Sequence, residues 1–169
     1  MHTYEKMLID ASNNGFEIVE KNFKSDAKGL CKGKKIGIRK DMSDTEKVCV
    51  LAEELGHYYT SVGNILDQNN VNNKKQELVA RRWATNILLC PADLIEACRA
   101  GNEYISDIAE YLGVTSEFLI DAINVFSAKY GPVYSDGEYE IRFCERGFNL
   151  AKLKKIILKI KGGIFYENK

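Results

Sequence analysis

Two neighbouring carboxylates and an imidazole fall within little more than one helical turn at Glu53, Glu54 and His57. On a helix, positions i and i+4 project roughly 40° apart around the axis and one turn along it. Glu53 and His57 can therefore address the same metal ion. Glu54, one position on, stands beside that pair, within reach of a water the ion would hold. The arrangement is that of an H-E-x-x-H helix, in which two histidines bind zinc and the enclosed glutamate activates water. Glu53 takes the place of the first histidine. The same pentapeptide also fits a solvated helical face with an ordinary surface or core histidine, so the pattern alone leaves both readings open.

The rest of the chain narrows the choice of ligands. Its two histidines are His2, near the start of the chain, and His57. An internal transition-metal site must then complete its set with carboxylates, which zinc accepts at normal distances. Glu77, near the start of the next helical segment, is the best candidate for a third ligand. A turn between the two helices would set them antiparallel, with Glu77, Ala80, Arg81 and Ala84 on one face. Arg81 and Arg82 read as surface charges or as partners for nearby carboxylates, not as a nucleic-acid patch.

The elements that must position these residues are legible from periodicity. The first ~13 residues predict a helix, with Tyr4, Met7, Leu8 and Ala11 at helical spacing, stopped at Asn13-Asn14-Gly15. Phe16 and Ile18 begin a short strand. Gly29 to Ile38 predicts a hairpin with Lys32-Gly33 in its turn. The helix that carries Glu53 is capped by Ser43 or Asp44 with Glu46 in its first turn. It buries Val48, Leu51 and Leu55 and runs to about Thr60. A polar stretch through Asn73 precedes a helix over about Lys75 to Leu89, and Pro91 opens another that Gly101 ends. Two more are predicted over Ile105 to Leu112 and Ser116 to Ala128. Asp136-Gly137 marks a hairpin turn. The tail from Asn149 fits either an amphipathic helix or a hairpin through Gly162-Gly163. Tyr58, Tyr59 and Trp83 are expected in the core, with a cleft lining as the alternative.

Length and composition set the frame. The chain has 169 residues, 45% of them hydrophobic and 28% charged, within the range of one globular domain. The formal net charge is zero, with 24 basic and 24 acidic side chains, which excludes a globally basic nucleic-acid binder. No apolar run approaches the ~20 residues needed to cross a bilayer. The charged N-terminus reads as no secretory signal. Five cysteines, an odd number with no C-x-x-C pair, point to reduced thiols in a cytoplasmic protein.

The wider context of the pentapeptide resembles a known family. Val48-Cys49-Val50-Leu51-Ala52-Glu53-Glu54-Leu55-Gly56-His57-Tyr58-Tyr59-Thr60 looks like the metal-binding helix of the ImmA/IrrE metallo-endopeptidases. Lys75-Gln76-Glu77-Leu78-Val79-Ala80-Arg81-Arg82-Trp83-Ala84, followed by Leu88-Leu89-Cys90-Pro91, is similar to that family's second signature. The resemblance runs from about Lys28 to Phe143. It implies an α+β, zincin-like, mostly helical domain with a small antiparallel sheet and a metal-binding helix. The domain is assigned to 1–146, with a basic amphipathic tail over 147–169. It further implies Glu53, His57 and Glu77 as metal ligands and Glu54 as the general base. The cofactor would be one divalent ion, zinc in the first place and manganese as an alternative. The departure at Glu53 makes the ligand set more anionic and harder than two histidines and a glutamate, which favours harder ions and a less acidic bound water. By the same resemblance the substrate is a helix-turn-helix repressor of a phage or mobile element, cut by an activated water. A non-catalytic protein that binds such a repressor is the alternative.

A DNA-binding regulator is the rival reading. Ile105 to Phe126 has the outline of a helix-turn-helix. From Asn102 to Phe126, however, Glu103, Asp107, Glu110, Glu117 and Asp121 face no lysine or arginine in the same segment. Affinity for a phosphate polyanion comes largely from basic contacts. The expectation is a helical hairpin packed on the catalytic helices, with neither nucleic acid nor membrane as a partner.

Overall fold

The computed structural model describes residues 3–60, 71–144, 147–152, 155–160 and 163–168, with side chains described over 3–60, 75–144 and 147–152. The chain begins with α1 (Tyr4–Asn13) and β1 (Glu17–Lys21), then β2 (Gly29–Lys32) and β3 (Lys35–Arg39). Helices α2 (Asp44–Thr60), α3 (Val71–Leu88), α4 (Pro91–Arg99), α5 (Ile105–Leu112) and α6 (Ser116–Tyr130) follow. Strands β4 (Val133–Ser135), β5 (Tyr139–Cys144), β6 (Gly147–Lys152), β7 (Lys155–Ile160) and β8 (Gly163–Asn168) complete the chain.

Helix α2 is the centre of the fold. Ser43 caps it in a reciprocal box: its Oγ accepts from the Glu46 N–H at 3.3 Å, and the Glu46 carboxylate accepts from the Ser43 N–H at 3.0 Å. These bonds satisfy donors that a helix start leaves open. Leu51 and Ala52 are fully buried, with Val48, Val50 and Leu55 close behind. One side of α2 packs on α1 and on β2 and β3, the other on α3. Ile36 and Ile38 of β3 are fully buried.

The first sheet is mixed. Its order is β1-β3-β2, with β1 parallel to β3 and β2 antiparallel to it. Gly33 and Lys34 form the two-residue turn between β2 and β3, and Gly33 takes φ 57°, a conformation that a hairpin of this length asks for. The small sheet expected from sequence is thus antiparallel only at its hairpin; β1 arrives from a distance and pairs in parallel.

Helices α5 and α6 pack on one another, α4 on α5 and α6 on α3. Leu119, Ala122, Ile123 and Phe126 bury one face of α6. Gly113 ends α5 in the left-handed conformation, and the Thr115 hydroxyl caps α6 by accepting from the Phe118 N–H. The pair predicted from sequence is therefore a helical hairpin with an acidic outer face.

A second sheet has the antiparallel order β4-β5-β6, and β7 pairs antiparallel with β8. The described part of the tail is therefore extended rather than helical; Gly162 lies outside the described residues. Helix α3 begins at Val71, earlier than the predicted Lys75, while the rest of the polar stretch, residues 61–70, lies outside the description. Among the described residues no helix is long and apolar enough to cross a membrane.

Candidate metal centre

The crossing of α2 and α3 decides what meets at this site. Gly56 lies against Ala80: a Cβ on Gly56 would stand 2.5 Å from the Ala80 carbonyl oxygen. Ala80 is itself fully buried. Two such small residues let the helix backbones approach to a distance that any larger side chain would forbid. His57 follows Gly56, and Glu77 lies one turn before Ala80. The close crossing therefore brings His57 Nε2 to 3.3 Å from Glu77 Oε2.

Strand β2 closes the other side. Its backbone runs directly over α2: a Cβ on Gly29 would meet Glu54 Oε1 at 2.5 Å and Val50 Cγ1 at 2.7 Å. Glycine is required there for space, not for φ. The Cys31 N–H donates to the Glu54 carboxyl. Burial pushes Glu54 up to about 7, the charges of Glu53 and Glu77 push the same way, and the Cys31 N–H opposes them. A carboxyl in this range can take and return a proton near neutral pH.

Glu53 faces a different neighbourhood. It lines a cavity of about 190 Å³ together with Lys28, Glu46, Arg81, Glu117 and Asp121. Burial raises its pKa, Arg81 opposes that shift, and Glu77 and Asp121 reinforce it. Arg81 bridges two helices here. Its Nε donates to Glu77 Oε1 at 2.9 Å and its Nη1 to Asp121 Oδ2 at 3.0 Å.

The predicted residues thus converge in part. His57 and Glu77 are side by side, with Glu54 close enough for Glu77 to raise its pKa. Two ligands held at ~2.0–2.1 Å on a tetrahedral ion sit roughly 3.3 Å apart, so this pair has a spacing that suits a shared divalent ion as well as an ion pair. The clustering of Glu53, Glu54 and Glu77 also favours a cation. Glu53 does not complete the set as arranged: among the described residues no group of three His, Cys, Asp or Glu side chains is disposed to hold an ion. His57 Nδ1 is buried with no hydrogen-bond partner among those residues, whereas a ligating histidine ordinarily donates from its second nitrogen. The donor chemistry fits at His57 and Glu77, and Arg81 rather than Glu53 is drawn to Glu77.

Against this geometry, the model of the Peptidase_M78 family, described as an IrrE N-terminal-like domain, matches residues 11–124. The chain belongs to that family. No curated protein and no solved structure matches it. As a Peptidase_M78 chain it has the zincin-like α+β architecture, and both signature helices, α2 and α3, fall inside the matched span. The family relates the chain to metallopeptidase-type hydrolases, which take a divalent metal.

Nothing in the sequence marks Asp121 as part of the site, and Arg81 reads there as either a surface charge or a partner for nearby carboxylates. Arg81 and Asp121 are forty positions apart, so no local pattern links them. Gly56 carried the available signal: it interrupts an otherwise regular helix next to His57, where a close backbone approach requires it.

Proposed function

We propose that this chain is a metal-dependent endopeptidase that cuts a protein substrate, with Glu53, His57 and Glu77 as metal ligands and Glu54 as general base. The observation that carries the reading is the juxtaposition of His57 Nε2 and Glu77 Oε2 at 3.3 Å, beside the buried carboxyl of Glu54. A divalent ion, zinc or manganese, supplies Lewis acidity toward the scissile carbonyl and toward a water when bound. The protein's own contribution lies in holding the proton carrier. Gly29 and the Cys31 N–H fix the Glu54 carboxyl against β2, and burial keeps its proton affinity near neutral. Glu54 takes a proton from the attacking water and passes it to the leaving amine. The β2 edge, beside Glu54, offers backbone groups to an extended substrate.

In this proposal the substrate is a helix-turn-helix repressor of a phage or mobile element, and the site of action is the cytoplasm. The support is the resemblance of residues 48–60 and 75–91 to the ImmA/IrrE proteins. Co-expression with a repressor encoded beside this chain, followed on a gel, tests it. The parent should yield a cleaved repressor. Glu54→Gln should keep the metal and lose cleavage by ~10²–10⁴-fold. Equal cleavage by both proteins excludes Glu54 as the base.

One observation favours a second reading. Arg81 pairs with Glu77 where an ion's charge would otherwise act, and Glu53 is not a histidine. A non-catalytic protein that holds the repressor without cutting it accounts for both. Co-purification of intact repressor with the parent and with Glu54→Gln alike would identify it.

A further inference from the structure

Carboxylates from three helices surround one guanidinium. Glu53 comes from α2, Glu77 from α3 and Asp121 from α6, and Arg81 is bonded to the last two. All of these except Glu77 line one cavity of about 190 Å³. Arginine stays charged at any pH a protein meets, so this positive charge is permanent. A divalent ion held by Glu53 and Glu77 would need the Glu77 carboxylate that Arg81 now engages, and it would be repelled by the guanidinium while that remained beside Glu53 in the same cavity.

We propose that Arg81 is a built-in counter-cation that competes with a divalent metal for Glu53 and Glu77, and that Asp121 is the anchor that holds the guanidinium aside. This inference rests on the metal-site reading above. It makes Arg81 a positioning residue that sets metal affinity. The two members of one salt bridge then have opposite effects. Loss of Arg81 frees Glu77 and Glu53 for the metal. Loss of the Asp121 charge removes the pull toward α6 and leaves Arg81 more firmly on Glu77. A salt bridge that served only to join α3 to α6 would behave otherwise, since breaking it from either end would loosen the site in the same direction.

Calorimetric titration of the full chain, stripped with a chelator, with ZnCl₂ and separately with MnCl₂ tests this. Arg81→Ala should bind at least about tenfold more tightly than the parent, and Asp121→Asn more weakly, on the scale on which ligand-bonding neighbours act. Arg81→Lys, which keeps the charge, should remain close to the parent. If Arg81→Ala does not fold by circular dichroism, Arg81→Gln carries the comparison. Tighter binding on removing the Arg81 charge together with weaker binding in Asp121→Asn supports the proposal. Binding by the charge-free Arg81 variant alone, with none by the parent, supports it too but removes the metalloenzyme reading for the parent. Parent binding that is unchanged or weakened without the Arg81 charge overturns the proposal and leaves that reading intact. No binding by any variant overturns both.

Discussion

At Glu54 burial works against ionisation, and the direction of the resulting pH dependence follows. The carboxyl titrates at about 7 in the fold against an ordinary 4.5. The folded chain therefore binds more protons than the unfolded chain between those values, and stability falls as pH rises through that window. The contribution is fully present below pH 4.5 and lost above 7, and Glu53, also raised by burial, acts in the same direction. The full shift corresponds to at most about 3 kcal/mol, less where solvent screens the group. Glu54→Gln should accordingly be more stable than the metal-free parent at pH 8 and nearly equal to it at pH 5. Urea unfolding at the two pH values measures this; a difference that does not change with pH would contradict the assignment. Glu53, Glu54 and His57 could be picked out in the sequence because their spacing obeys the helical repeat, whereas Glu77 follows from the need for a third ligand on the next helix and from the family resemblance. The sequence could not show that Glu53 would look toward Arg81 and Asp121, because that depends on how α6 packs against α3.

Helix α2 works through its two close approaches, and each makes a prediction at that scale. Gly56→Val places bulk where a Cβ already stands 2.5 Å from the Ala80 carbonyl oxygen. The crossing must open, at a cost of ~1–3 kcal/mol or more. His57 and Glu77 should separate, so metal affinity should fall with stability in denaturant and calorimetric measurements. A variant that keeps both would show that the crossing does not position the pair. Gly29→Ala is expected to disturb Glu54 while leaving His57 and Glu77 in place, because its Cβ would meet the Glu54 carboxyl rather than α3. Unchanged cleavage in Gly29→Ala would count against the role given to β2. Much of this framework was readable beforehand. The Ser43–Glu46 capping box, Pro91 at the start of α4 and Gly101 just past its end are local signals, and each appears where its chemistry predicts. The parallel pairing of β1 with β3 was not readable, since a parallel partner is chosen by tertiary packing rather than by a turn.

Across the whole molecule, a net charge of zero conceals a segregation. The first sheet and its loops carry Lys21, Lys24, Lys28, Lys32, Lys34, Lys35, Arg39 and Lys40, whereas residues 102–126, which hold α5 and most of α6, carry five acidic residues and no basic one, Lys129 in the last turn of α6 being the first. Any low-salt affinity for duplex DNA should therefore leave α5–α6 uninvolved, and Glu117→Lys should not change it in a gel-shift titration. Salt-sensitive binding strengthened by that substitution would support the regulator reading instead. A metal site made jointly by α2 and α3 underlies every role given to these residues. Its most direct test is elemental analysis of the purified chain after equilibration with zinc and removal of free ion, with His57→Ala and Glu77→Ala treated in parallel. The parent should hold about one ion per chain, on the usual stoichiometry of such sites, and both variants should lose most of the metal. A parent with no metal above background, or occupancy unchanged by either substitution, would contradict it.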